Sequence, residues 1–208
     1  LQRKYNLQNK ELLLLDKSVT TFSKLTIPCC DRCHTHYILP LEAEVEQAAA
    51  KGMEGIKALD KQKLFQWIGK MYYGILVTEL IKEMDPLVMP QYAVSEDPKM
   101  QGKFRSFFQV LQSLRVPMVF SDFLPSSFFT LEINPEQDQL PFEYQDDLTT
   151  MAFSIKLGSV AIVCTLLDNG IIEKAMGRLT QVTQGHQLHP VQLAEFKARV
   201  FYAAYIFN

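Results

Sequence analysis

The hydrophobic pattern changes character near Arg115, and this change constrains the fold more than any other feature of the sequence. Before it, apolar residues between Lys61 and Met84 recur at spacings of one, three and four, which is the pattern of an amphipathic helix. After it, runs rich in β-branched and aromatic residues follow one another between short turn signals, which favours strands. Helices, then strands, then helices again predict an α+β fold.

The individual elements follow from the same patterns. We predict helices that open near Pro40 and Pro190 and others over residues 61–84, 99–114 and 171–180. We predict strands over residues 19–27, 116–123, 128–133, 149–157 and 160–167, with Gly158 and Ser159 as a hairpin turn. The last four strands would form an antiparallel sheet of about four strands. An acidic loop around Glu143, Asp146 and Asp147 would be solvated, with metal binding as its alternative.

The charge and cysteine content exclude several classes of protein. Lys and Arg total 21 against 23 Asp and Glu, so the net charge of −2 argues against a strongly basic nucleic-acid coat protein. No run of about 18 apolar residues predicts a membrane span, and no signal-peptide pattern is present. We therefore expect a cytoplasmic protein. Because the sequence begins with Leu1, we expect a fragment or a processed product of a longer chain.

A cysteine cluster near the start of the chain is the main chemical motif. Cys30 and Cys33 have the C-x-x-C spacing that lets two thiolates bind one tetrahedral cation, and zinc is the cation that accepts mixed sulfur and imidazole ligands. Cys29, His34 and His36 are the further candidate ligands. An unliganded remnant and a redox-active pair are the alternatives, although no βαβ pattern surrounds the motif as in thioredoxin-like proteins.

The segment around this motif resembles a known family. Cys30-x-x-Cys33-His34, after an extended strand and before a helix with Leu41 and Glu42, resembles the C-terminal half of an HNH (ββα-metal) nuclease module, over about residues 1–45. The resemblance implies that Cys30 and Cys33 bind a structural zinc and that His34 binds a catalytic divalent metal such as Mg²⁺. The family also has an upstream cysteine pair and a general-base histidine. This sequence has neither, because no cysteine precedes Cys29 and no histidine precedes His34.

These observations suggest two hypotheses for the function. The first is an HNH-like nuclease, incomplete in this chain, that acts on DNA or RNA phosphodiesters. The first 40 residues carry six basic against three acidic residues, and the basic side chains that would contact nucleic acid are Arg3, Lys4, Lys24 and Arg32. The second is a non-enzymatic, zinc-knuckle-stabilised interaction or ligand-sensing protein. For the aromatic C-terminus, residues 201–207, we expect core packing, with a surface that binds a protein partner or a second copy of the chain as the alternative.

The remaining candidate residues have a structural interpretation. We divide the chain into a partial HNH-like segment, residues 1–45, and an α+β domain, residues 46–208. His186 and His189 flank a turn before the last helix, where capping or exposure is expected of them. Cys164 falls within a strand and is expected to be buried as a small apolar residue.

Overall fold

The computed structural model describes residues 4–14, 18–25, 27–83, 95–116, 118, 120, 124–138 and 140–207, without the side chains of Leu7 and Glu83. The described helices are α1 (Asp31–Cys33), α2 (Leu39–Ala50), α3 (Gly52–Ala58), α4 (Lys61–Glu83), α5 (Pro98–Gln112), α6 (Ile171–Ala175), α7 (Gly177–Thr183) and α8 (Pro190–Phe207). The described strands are β1 (Glu11–Leu13), β2 (Val19–Thr21), β3 (Ser126–Ile133), β4 (Phe142–Asp147), β5 (Ala152–Leu157), β6 (Val160–Leu166) and β7 (Gln187–Leu188).

This combination of helices and strands confirms the predicted α+β class. The chain forms two compact units, the first of residues 1–42 and 66–118 and the second of residues 43–65 and 119–208. Among the helices described, none has the length and apolar character needed to cross a membrane. The sequence-based division at residue 45 stays a prediction.

The first unit combines a short hairpin with helices. β1 and β2 pair antiparallel, with Leu12 opposite Thr20. The core lies between α4 and α5, where the rings of Tyr72 and Phe107 are 4.6 Å apart. Gly69 permits this close approach, because a Cβ there would lie 3.3 Å from the Phe107 ring. The Gln66 side-chain amide donates a 2.8 Å hydrogen bond to Ser113 Oγ, which satisfies two buried polar groups in this core.

The second unit is built on a five-stranded sheet of order β4-β5-β6-β3-β7. All neighbours are antiparallel except β3 and β7, and the predicted hairpin turn joins β5 to β6, with Gly158 at a φ of +64°. Every residue of β5 and β6 is buried. Helix α8 packs on one face, where the Phe129 and Phe196 rings lie 5.3 Å apart. Residues alternate between faces along a strand, so Phe128, whose ring lies 6.4 Å from that of Phe65, belongs to the other face.

Two buried lysines form ion pairs beside the sheet. Lys156, on β5, pairs with Asp138 and also donates to the carbonyl oxygen of Leu140. Lys197, on α8, pairs with Glu143 on β4. A buried ammonium group needs such partners, because its desolvation is costly. These contacts tie the segment before β4 to β5, and β4 itself to α8.

The prediction of an acidic loop around Asp146 and Asp147 is wrong, because these residues belong to β4. Asp146 lies opposite Phe153 and Asp147 opposite Ala152 in the pairing with β5. The carboxylates are accommodated locally: Tyr144 Oη donates to Asp146, and Thr149 donates to Asp147 from both its N–H and its hydroxyl. The tertiary pairing with a buried neighbouring strand therefore overrides the low strand propensity of aspartate.

Several predicted element bounds also differ from the structure. The strand predicted over residues 19–27 ends at Thr21, where a 3₁₀ turn follows over Phe22–Lys24. The strand predicted over residues 116–123 is absent at residues 116, 118 and 120; its other residues lie outside the described ones. Val116 instead continues the end of α5 as a turn, since its N–H donates to the Gln112 carbonyl. The helix predicted over residues 171–180 is interrupted at Met176, whose ψ of 2° separates α6 from α7.

Candidate metal centre

The cysteine knuckle lies at α1, which a π-helical stretch joins to α2, and α2 begins at Leu39, beside the predicted position near Pro40. Cys30 is the N-cap of α1, with extended backbone angles of −71° and 150°. Its Sγ accepts the N–H of Cys33 at 3.4 Å, and its carbonyl oxygen accepts the N–H of His34 at 3.0 Å. The helix starts here because the Cys30 sulfur satisfies one of the first free N–H groups of the helix, as a polar capping side chain does elsewhere.

Contacts with α4 hold the segments on both sides of the knuckle. Before it, Ile27 packs on Gly74, where a Cβ would lie 2.9 Å from Ile27 Cδ1. After it, Glu42 forms an ion pair with Lys70. The hairpin contacts the same helix, since Lys82 Nζ donates to Ser18 Oγ in the turn between β1 and β2. Helix α4 therefore contacts the hairpin and the segments on both sides of the knuckle.

The two knuckle thiols are free and interact with each other. Cys30 is exposed and Cys33 is half-buried. The Cys33 N–H donates a hydrogen bond to the Cys30 sulfur, and the Cys33 thiol donates a second one. These two hydrogen bonds, of which the first has the larger effect, hold the pKa of the Cys30 thiol below its usual value. The same thiol hydrogen bond raises the pKa of Cys33. Cys30 is thus the better thiolate of the pair, and two converging sulfurs are a donor set that suits zinc.

The two candidate histidines differ in their surroundings. Both His34 and His36 are exposed, in a π-helical stretch, His34–Ile38, between α1 and α2. His36 Nδ1 lies 3.0 Å from the carbonyl oxygen of Arg32, so Nδ1 carries the proton and Nε2 keeps its lone pair. Such a hydrogen bond fixes a ring in the tautomer that a metal ligand requires.

The predicted metal ligands are brought together only in part. Cys30 and Cys33 meet, whereas the Cys29 thiol is directed to the Cys30 carbonyl oxygen at 3.6 Å. Within the residues that the structure describes, no three His, Cys, Asp or Glu side chains converge as a metal site requires. A tetrahedral zinc needs four ligands, and the described part of the chain brings together two of those that the sequence predicts.

The structure adds one basic residue to those that the sequence predicts for nucleic-acid binding. Arg32 and Lys24 are exposed, the Lys4 ammonium lies 5.3 Å above the Tyr5 ring, and Arg3 lies outside the described residues. Arg115, just after α5, lies close enough to the knuckle for its charge to lower the pKa of Cys30. No local pattern could have identified Arg115, because only the packing of α5 in the first unit brings it to the cysteines.

The other candidate residues have structural roles. His189 Nδ1 accepts the N–H of Val191 at 3.1 Å, so this histidine caps α8 as predicted. His186 is exposed in the preceding turn. Cys164 is buried in β6 as expected, and its burial raises the pKa of its thiol.

Comparisons with models of known protein families, with curated proteins and with solved structures yield no match to this chain. Functional inference therefore depends on the residues of the chain itself and on their geometry.

Proposed function

We propose that this chain carries part of a metal-dependent nuclease of the HNH class, which acts on the phosphodiesters of DNA or RNA. The observation that carries the proposal is the order of elements around the knuckle. A two-stranded hairpin, β1 and β2, precedes a helix whose first turn holds Cys30, Cys33 and His34. A hairpin followed by a metal-binding helix is the ββα arrangement that the sequence resemblance implies.

Each residue of the knuckle has a distinct role in this proposal. Cys30 and Cys33 would bind a structural zinc, which stabilises the hairpin and helix as one module. His34 would bind a catalytic divalent metal, which supplies electrostatic stabilisation of the phosphate when bound. Arg32 and Arg115 would neutralise neighbouring phosphates, since guanidinium groups match the geometry of phosphate oxygens. Under this proposal the protein acts in the cytoplasm, where thiols stay reduced and free to bind zinc.

The proposal requires groups that the described residues do not supply. A hydrolytic nuclease needs a general base to activate water, and the zinc site needs two more ligands. No histidine precedes His34 in this sequence. The proposal therefore assigns the base and the missing ligands to other parts of the complete protein.

Zinc analysis and a nicking assay on the full-length gene product test the proposal together. We expect about one zinc per chain, which Cys30→Ser with Cys33→Ser removes, because a structural site closes with four ligands. We also expect Mg²⁺-dependent nicking of supercoiled plasmid. His34→Ala should abolish nicking and leave the zinc in place, whereas His186→Ala, which changes an exposed histidine of the second unit, should alter neither.

Two results would overturn the proposal. One is a full-length protein that holds zinc and cleaves neither plasmid nor RNA with any divalent metal. The other is cleavage that His34→Ala leaves unchanged, because the activity then belongs to another site.

A second function, that of a non-enzymatic interaction protein, is favoured by the end of α8. Tyr202, Tyr205, Ile206 and Phe207 each expose more than half of their surface, up to 72% for Tyr205. A cluster of large exposed apolar side chains is typical of a surface that binds another protein. A concentration-dependent dimer in sedimentation velocity, lost in Tyr202→Ser with Tyr205→Ser, would support self-association. An unchanged monomer at high concentration would argue against it.

A further inference from the structure

The second unit contains a cavity that is separate from the cysteine knuckle. It has a volume of about 730 Å³, and its lining includes the start of β3 and the first residue of α4. Its lining consists of Lys61, Leu124, Ser126, Phe128, Asn169, Gly170, Glu173 and Lys174. This volume is in the range of pockets that hold small organic molecules. All of these residues belong to the second unit, so nothing argued for the knuckle bears on them.

The lining has a positive charge balance. Two lysines against the single carboxylate of Glu173 leave a net charge of +1. Among the residues that the structure describes, neither Lys61 nor Lys174 takes part in an ion pair, and both side chains are exposed. Lys61 has a defined place because the N-cap carboxylate of Asp60 accepts the Gln62 N–H at 2.8 Å and starts α4 there. Two unpaired ammonium groups on one cavity favour an anionic ligand.

The loop on the opposite side of the cavity is held in an uncommon conformation. Leu167, Asn169 and Gly170 have φ values of 59°, 54° and 70°. The buried carboxylate of Asp168 holds this loop, since it accepts the N–H groups of Gly170 and Ile172 at 3.3 and 3.0 Å. A strained backbone that is held by buried hydrogen bonds is more frequent at binding sites than elsewhere. Here it places Asn169 and Gly170 on the cavity wall.

Two buried serines of β3 complete this support. The hydroxyl of Ser127 donates to Asp168 and accepts the N–H of Glu173 at 2.8 Å. The hydroxyl of Ser126 accepts the N–H of Leu167 at 3.4 Å and itself lines the cavity. The polar wall is therefore tied to the sheet before any ligand binds, which lowers the entropic cost of binding.

The remaining wall is apolar. Leu124 and Phe128 are half-buried and line the same cavity, and the Phe128 ring is held edge-on by Phe65. The lining thus combines two lysines, one carboxylate (Glu173), an asparagine and a serine with an aromatic and an aliphatic surface, and it keeps a net charge of +1. A phosphate monoester with an aromatic or aliphatic body offers matching chemistry at both ends, because a dianionic phosphate can engage both lysines at once.

We propose that the cavity between α4, β3 and α6 binds a small phosphate monoester of this kind. The phosphate contacts Lys61, Lys174 and the Asn169 amide, and the organic body packs on Leu124 and Phe128. The proposal is independent of the nuclease proposal and concerns a second, small-molecule site.

Titration calorimetry of the full chain with phenyl phosphate tests this assignment, with inorganic phosphate and benzoate as comparison probes. We expect saturable binding of phenyl phosphate that is tighter than the binding of either comparison probe. Inorganic phosphate lacks the aromatic ring, and benzoate lacks the second negative charge. Lys61→Gln with Lys174→Gln should raise the Kd for phenyl phosphate by about tenfold, because two charge-assisted contacts are lost. Lys57→Gln, which changes an exposed lysine on α3 outside the cavity, is the matched control and should leave the Kd unchanged.

A second variant examines the apolar wall. Leu124→Ala should weaken phenyl phosphate binding and leave inorganic phosphate binding as it is in the wild type. Three outcomes would overturn the proposal: no saturable binding of phenyl phosphate at millimolar concentration, an equal loss of affinity in Lys57→Gln, or tighter binding of benzoate than of phenyl phosphate. Thermal unfolding of each variant, expected to match the wild type for the exposed lysines, shows that any loss is not a loss of folding.

Discussion

Gly55 shows at the residue scale how backbone contact can exclude a side chain. Glycine weakens a helix through its conformational freedom, yet Gly55 lies within α3. A Cβ at this position would lie 2.1 Å from the carbonyl oxygen of Ala48, which is far closer than any real contact. The glycine is therefore required by the close approach of α2 and α3.

The first prediction concerns this contact. Gly55→Ala should lower the free energy of unfolding by about 3 kcal/mol, because the backbone of α2 must move to remove the overlap. Gly102→Ala is the matched control in α5, where a Cβ would meet nothing within 4 Å. It should raise the free energy of unfolding by about 0.5–1 kcal/mol, the difference in helix propensity. Urea unfolding of the two variants measures both effects, and equal stabilities would contradict the overlap.

The second prediction concerns the pH dependence that Asp146 confers. Burial raises the pKa of Asp146 from 3.8 to about 6, the neighbouring Asp147 adds to this, and the Tyr144 hydrogen bond opposes it. Because the folded pKa is the higher one, the folded state binds more protons than the unfolded state between these values. Stability attributable to this group therefore falls as the pH rises from about 4 to about 6.

Asp146→Asn removes the charge and keeps an oxygen that can accept from Tyr144. We expect the variant to match the wild type near pH 4 and to be more stable at pH 7, by about 1–3 kcal/mol. Chemical unfolding at both pH values measures the difference, and Glu136→Gln, at an exposed turn, controls for the change in net charge. A gain in stability that is the same at both pH values would show that titration of Asp146 is not its cause.

At the element scale, the start of α1 depends on the same side chain that we propose as a zinc ligand. Cys30 caps the helix through its sulfur, which accepts the Cys33 N–H. Different substitutions of Cys30 can therefore remove the proposed metal ligand alone, or the metal ligand together with the helix cap. Serine is a good N-cap residue and a poor zinc ligand, whereas alanine can neither cap nor bind metal.

The third prediction follows from this difference. In the presence of EDTA, Cys30→Ser should be as stable as the wild type, while Cys30→Ala should be less stable by about 1 kcal/mol, the usual contribution of an N-cap. Without chelator, both variants should lack the zinc-dependent part of the wild-type stability. Thermal unfolding measured by circular dichroism distinguishes the two effects. Equal stabilities of the two variants in EDTA would mean that the Cys30 sulfur does not cap the helix.

For the whole molecule, the distribution of burial predicts where local opening occurs. The strands β5 and β6 are buried along their entire length and pair on both sides within the sheet. The hairpin of β1 and β2 has two strands of three residues each and exposes Glu11, Leu13 and Val19. A two-stranded hairpin of this size has little stability of its own.

The fourth prediction is therefore a gradient of hydrogen exchange. Peptides from β5 and β6 should exchange most slowly, at the rate of global unfolding, and peptides from β1 and β2 should exchange among the fastest. Addition of Zn²⁺ should slow exchange in the hairpin and α1 and leave β5 and β6 unchanged, if the knuckle binds the metal as proposed. Mass spectrometry of labelled peptides measures this, and slow exchange in the hairpin of the zinc-free protein would contradict the prediction.

Local chemistry made much of the fold predictable. The amphipathic pattern identified α4 and α5, Pro190 marked the start of α8, and Gly158 marked the turn between β5 and β6, because these features depend on neighbours within a few residues. The α+β class followed from the order of such segments. In the candidate site, the C-x-x-C spacing identified Cys30 and Cys33, since their contact is also local.

Contacts between distant segments decided the rest. The strand β4 forms, in spite of its acidic residues, because its backbone pairs with that of the buried strand β5. The strand β7 forms because Gln187 and Leu188 pair with the edge of β3. Arg115 reaches the knuckle, and Lys61 and Lys174 line one cavity, only after the chain has folded. The sequence by itself determined α4, α5, the start of α8, the hairpin turn and the thiol pair, whose energetics are local. The tertiary structure alone decided the strand register, the charges around the thiols and the cavity, because these depend on burial and pairing between residues far apart in the chain.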